Sequence, residues 1–123
     1  MKKENWSPDR GEIIWINYSP QTGREMRDLH PMLVLSSKKF NDRTGIVIGL
    51  PMTTAQYNDN NPFAVKFKGN NNKISYILAH QPKSFDWRQR EAKIHPWKRV
   101  PNKVLSSACE LLNQVILLDE NKE

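Results

Sequence analysis

Cysteine is almost absent: Cys109 is the single one in 123 residues. That excludes an internal disulfide framework and any zinc site built on several thiolates. Glycine is scarce too, at five. The strings GxxxxGK[ST] and GxGxxG do not occur, so no phosphate-cradling glycine loop is indicated. Histidine is limited to His30, His80 and His95, with no HExxH and no closely spaced pair. A zinc site would have to be assembled from three distant residues, and none is expected. Ser36, Ser37, Ser106 and Ser107 lack the setting of a nucleophile elbow. No apolar run approaches the roughly 20 residues of a helical membrane span. The opening string MKKENWSPDRG has no secretory-type apolar stretch, so a cytoplasmic protein is expected.

What is present is a surplus of positive charge. Lys plus Arg is 19 against 13 for Asp plus Glu, a net charge of +6. The length suits one domain over 1–123, large enough to build a core without cross-links. The charge is concentrated late in the chain. Lys83, Arg88, Arg90, Lys93, Lys98, Arg99 and Lys103 face only Asp86 and Glu91 in acid, with Trp87 and Trp97 between them. Cations interleaved with aromatics suit single-stranded nucleic acid, because phosphates pair with the cations and bases stack on the rings. The alternative is a solvated basic surface with its tryptophans turned into the core.

The rest of the chain reads as short strands closed by one helix. Residues 1–10 are polar and expected as an arm. Residues 12–18 (EIIWINY) are β-branched and aromatic, the composition of a strand. Trp15, among apolar neighbours, is expected in the core. Residues 19–30 form a long polar segment expected to be a loop. Runs 32–36 and 46–50 suit buried strands, and 38–45 suits a helical turn stopped by Gly45. Two further strands, 62–67 and 73–79, flank the turn GNNN, while NDNNP at 58–62 reads as a loop. Over 102–118 the apolar residues recur at 104, 105, 108, 111, 112, 115, 116 and 118, one face of a helix, with Asn102 expected as its N-cap. Cys109 falls within it and is expected to be an inert thiol. The expected fold is mainly β: a small barrel of about five to seven short strands with a C-terminal α-helix.

Three strand ends carry reactive groups: His30 before Pro31, Thr53 and Thr54 after Met52, and His80 before Gln81. Two imidazoles and a cation suffice for metal-free RNA cleavage. One takes the ribose 2′-OH proton, the other protonates the departing 5′-oxygen, and the cation stabilises the phosphorane. The alternative is that His30 and His80 are ordinary strand-end residues that never meet.

The ordered strings GEIIWINYSPQTGREM, HPMLVLSS, FNDRTGIVIGLPMTT and LAHQPKSFDWRQR resemble the MazF/PemK toxin family from Gly11 to about Arg90. The resemblance implies an SH3-like barrel related to the gyrase poison CcdB, assembled as a homodimer. It implies the toxin of a type II toxin–antitoxin module. Such a toxin is a metal-independent endoribonuclease that cuts single-stranded RNA, message included, to 2′,3′-cyclic phosphate and 5′-hydroxyl ends. It also implies an antitoxin of MazE/PemI type as partner, and no cofactor.

Carried over residue by residue, Glu25 stands where the family has a loop glutamate, and Thr53 where it has Thr or Ser, with Thr54 beside it. His30 replaces an arginine before the proline, and His80 replaces an aspartate before Gln81. Two readings follow. In one, His30 and His80 form an acid–base pair while Thr53 and a loop arginine, Arg24 or Arg27, hold phosphate. In the other, loss of the arginine leaves a weak or inactive relative. Paired ionisable replacements favour the first. Lys83, Arg88 and Arg90 are the expected phosphate contacts and Trp87 the expected stacking residue. A gyrase-targeting poison and a non-catalytic nucleic-acid-binding barrel are the competing functions. The acidic end LLDENKE lacks the aromatic finish of the CcdB-like group.

Overall fold

The computed structural model describes residues 6–18 and 29–117. Arg24, Glu25 and Arg27, the rest of 19–28, residues 1–5 and the acidic end beyond Leu117 lie outside the described residues. Strands β1 (Glu12–Asn17), β2 (Leu29–Val34), β3 (Ile46–Thr53), β4 (Ala64–Lys68), β5 (Ile74–Leu78), β6 (Lys83–Asp86) and β7 (Lys93–Arg99) form one curled antiparallel sheet. Its order is β4-β5-β3-β2-β1-β7, with β6 on β3. Helices α1 (Lys38–Thr44) and α2 (Asn102–Ile116) complete it, with a 3-10 turn over Gln56–Asn60. No helix among the described residues is long and apolar enough to cross a membrane.

The pleat sorts the apolar residues onto two faces, because successive strand side chains point opposite ways. Ile13, Leu33, Leu50 and Ile77 join Ala108 and Leu112 of α2 in one core. Ile14, Ile16, Met32, Val34 and Val47 pack with Trp87 in the other. Each buried Ile, Leu, Val or Met among them stabilises the fold by about 1.5–3 kcal/mol by leaving water. β3 holds the sheet together: Ile46 to Gly49 pair with β6, and Met52 and Thr53 pair with β5. At Gly49 the chain lies directly on the Leu33 carbonyl, where a Cβ would collide.

Several expectations change. β2 begins at Leu29, so His30 belongs to a strand rather than to the loop. β6 and β7 lie in the basic stretch, where an exposed edge tolerates lysine and arginine. Residues 6–10 are not a free arm. Trp6 packs edge-on against Trp87, Ser7 Oγ donates to Asp42, and the Pro8 carbonyl accepts from the Asn41 amide. Asn102 is the first helical residue of α2, and Pro101, in extended geometry, occupies the N-cap position. Gly45 does stop α1, in the left-handed conformation at φ 78°.

Candidate active site

A cavity of about 570 Å³ opens between the ends of β2, β3 and β5 and the strand β7. That volume lies within the ~300–1,000 Å³ of ligand pockets. His30, Thr53 and Thr54 border it, with Lys73 as a cation at its edge. Trp15, His95 and Trp97 line its aromatic side.

Strand register explains why these groups meet. β2 and β3 pair through Met32↔Pro51. Counting on in the same register, His30 stands opposite Thr53. The Thr53 Oγ1 accepts the Ala55 N–H at 3.1 Å, which orients the hydroxyl and leaves its own hydrogen to donate. The His30 ring packs at a tilt against Tyr18 at 4.8 Å, Tyr18 likewise against Phe85 at 5.3 Å, and the Arg90 guanidinium lies 4.2 Å over Phe85. His30 is exposed at the cavity rim.

β7 is built around an irregularity. Ile94 pairs with Ile14 and Arg99 with Glu12, so residues 95–98 bulge out of the ladder. Bulges re-aim side chains, and proline is tolerated in them. Here Pro96 sits in the bulge, and Lys98 adopts a left-handed φ of 64°, a strained choice for a non-glycine residue. The bulge lays His95 against Trp15 at 4.7 Å and against Trp97 at 5.1 Å. His95 is only 9% exposed. Burial pushes its pKa below the ordinary value, because the charged ring would lose its hydration.

Other expected site residues stand elsewhere. β5 pairs Tyr76 with Thr53, runs away from it and ends at Leu78, and His80 lies in the turn that follows. His80 packs on Phe63 at 5.5 Å, beside the Gln81 amide at 3.4 Å, and neither His80 nor Gln81 borders the cavity. The expected His30–His80 pair is therefore not assembled within the chain. Trp87 is not a stacking platform: it is 7% exposed, and its indole N–H donates to the Asn41 carbonyl at 2.8 Å. Arg88 is held by the Asp42 carbonyl at 2.8 Å and its carboxylate at 3.6 Å. Arg90 donates to the carbonyls of Asn17 and Tyr18 at 3.0 and 2.9 Å, fixing the end of β1. Lys83 pairs with Gly49 across β6 and β3, outside the cavity. Trp15, expected in the core, borders the cavity instead. Nothing in the sequence placed His95 or Lys73 in the site, while Trp97 was indicated only by the interleaving of cations and aromatics over 83–103. Among the described residues no three metal-ligating side chains cluster.

A curled half-barrel with a C-terminal helix and a cavity at its strand ends defines the architecture, that of a small β-barrel. Residues 9–116 match the family model described as PemK-like, MazF-like toxin of type II toxin-antitoxin system. The Escherichia coli K12 endoribonuclease toxin MazF is 36% identical over 85 residues, covering 69% of this chain and 74% of that protein. MazF from Deinococcus radiodurans superposes with a TM-score of 0.77 at 30% identity, covering 92% of this chain and 99% of that one. MazF in a MazE–MazF crystal structure from the same organism gives 0.77 at 30% identity, with 93% and 100% covered. The chain belongs to the PemK-like, MazF-like toxin family.

Proposed function

We infer that this chain is the toxin of a type II toxin–antitoxin module. It acts in the cytoplasm as a homodimeric endoribonuclease on single-stranded RNA, including message, and is restrained by an antitoxin of MazE/PemI type. The observation that carries this reading is the meeting of His30 and Thr53 at one cavity, in a chain of this family. The relative from Escherichia coli is named an endoribonuclease toxin, and the Deinococcus relative has been crystallised with MazE.

The groups at hand support a transesterification. The His30 imidazole takes the ribose 2′-OH proton as the 2′-oxygen attacks phosphorus. The Thr53 hydroxyl donates to a non-bridging oxygen, where charge builds in the transition state. Lys73 offsets that charge and protonates the departing 5′-oxygen. The P–O5′ bond breaks, leaving a 2′,3′-cyclic phosphate and a 5′-hydroxyl. No step calls on a metal. The test is digestion of a long mixed-sequence RNA in EDTA with the product ends mapped. Cyclic phosphate ends are expected. Cleavage that appears only when magnesium is restored would overturn the mechanism.

A further inference from the structure

The aromatic side of the cavity has a chemistry the cleavage steps leave unused. Trp97 is pinned from behind. Phe67 meets it edge-on at 6.0 Å, and the bare Cα of Gly69 lies against its six-membered ring, where any Cβ would collide. His95 is pinned by its neighbour: its Nδ1 accepts the Trp97 backbone N–H at 3.0 Å. That bond selects the tautomer. With Nδ1 as acceptor, the neutral ring carries its proton on Nε2 and presents a single donor. A proton on Nδ1 would face the Trp97 N–H, so the bond and the burial both keep the ring neutral. Trp15 and Trp97 are half-buried, so each keeps indole surface outside the core.

Flat π surfaces with one neutral donor do not suit a phosphate, which is drawn to cations. They suit a nucleobase, which stacks on an indole and offers carbonyl oxygens and ring nitrogens at its edge. We propose that Trp15, His95 and Trp97 form a slot for one unpaired RNA base, with the His95 Nε2–H reading an acceptor on that base's edge. The slot rests on the ribonuclease reading of the same cavity and deepens it. The β7 bulge then governs which sequence is cut, while His30 and Thr53 govern whether it is cut.

The test uses the full chain and uncleavable 2′-O-methyl heptamers of A, C and U. Binding is followed by tryptophan fluorescence and by the indole N–H signals of Trp15 and Trp97. W97A is expected to weaken binding of the preferred heptamer roughly tenfold or more. H95F, which keeps a ring and loses the donor, is expected to bind while losing its preference among the three, and H95Q to restore part of it. On mixed-sequence RNA, H95F is expected to cut at a wider set of sites. Unchanged affinity and unchanged base ranking in W97A and H95F would overturn the slot, even if the wild type cuts RNA. Heptamers that move the indole signals of a wild type unable to cut would sink the ribonuclease reading and leave the slot standing. Still signals with no cutting would end both.

Discussion

His30 and His95 border one cavity and live in opposite surroundings. His30 is exposed at a strand end, its ring on Tyr18, with Phe85 and Arg90 packed behind. His95 is buried between two tryptophans, with one ring nitrogen committed to a backbone N–H. In the proposed reading the same side chain has two jobs. An exposed imidazole can accept and return a proton. A buried one with a fixed tautomer is a rigid, neutral donor, better at recognition than at proton transfer. His80, packed on Phe63, does not border the cavity that the other two share.

Substitution breaks the comparison most sharply at His30. H30A should lower kcat by about 10²–10⁴-fold, the usual contribution of a positioned acid–base group. Single-turnover cleavage at saturating enzyme measures it. G69A sharpens the other side. The added methyl strikes the Trp97 ring, and overpacking of this kind costs about 1–3 kcal/mol. Urea unfolding should show a lower midpoint, and tryptophan emission a displaced ring.

A smaller effect separates the two imidazoles by pH. The folded pKa of His95 lies below its ordinary 6.5, held down by burial. Between those two values the unfolded chain binds more protons than the folded one. His95's contribution to stability is therefore complete above about pH 6.5 and is lost as the pH falls through the folded value. Stability measured against pH should fall more steeply in the wild type than in H95F over that window. An identical slope in both would remove His95 as its source. The smallest effect belongs to H80A, whose cleavage rate should stay within about threefold of wild type, far from the loss expected of a general acid or base.

Much of this organisation was legible in the sequence, for physical reasons. β1, β2, β3 and β5 announce themselves because the half-buried face of a sheet selects Ile, Val, Leu and Tyr. α2 is visible from its 3.6-residue period. β6 was hidden because its four residues hold a single large apolar side chain, Phe85, and β7 because it carries Lys93, Lys98 and Arg99 on exposed positions and a proline at 96. The meeting of His30 with Thr53 follows from strand ends on adjacent strands, so the sequence order suggested it. The separation of His80 depends on the direction and register of β5, which no local pattern encodes. Trp15 and Trp87 exchanged their expected places for similar reasons. Trp87 is buried because the Asn41 carbonyl is there to take its N–H. Trp15 pairs with Lys93 in the regular part of the β1–β7 ladder and reaches the cavity where its ring meets His95. A bulge fixed by long-range packing, like the one that aims His95, has no signature in a single strand's composition.

The most direct test of the account sets H30A and H80A beside the wild type, on one RNA, in EDTA, with product ends identified. The account predicts cyclic phosphate ends from the wild type and from H80A at similar rates, and a loss of at least a hundredfold in H30A. Full activity in H30A, or a collapse in H80A with His30 intact, would contradict it.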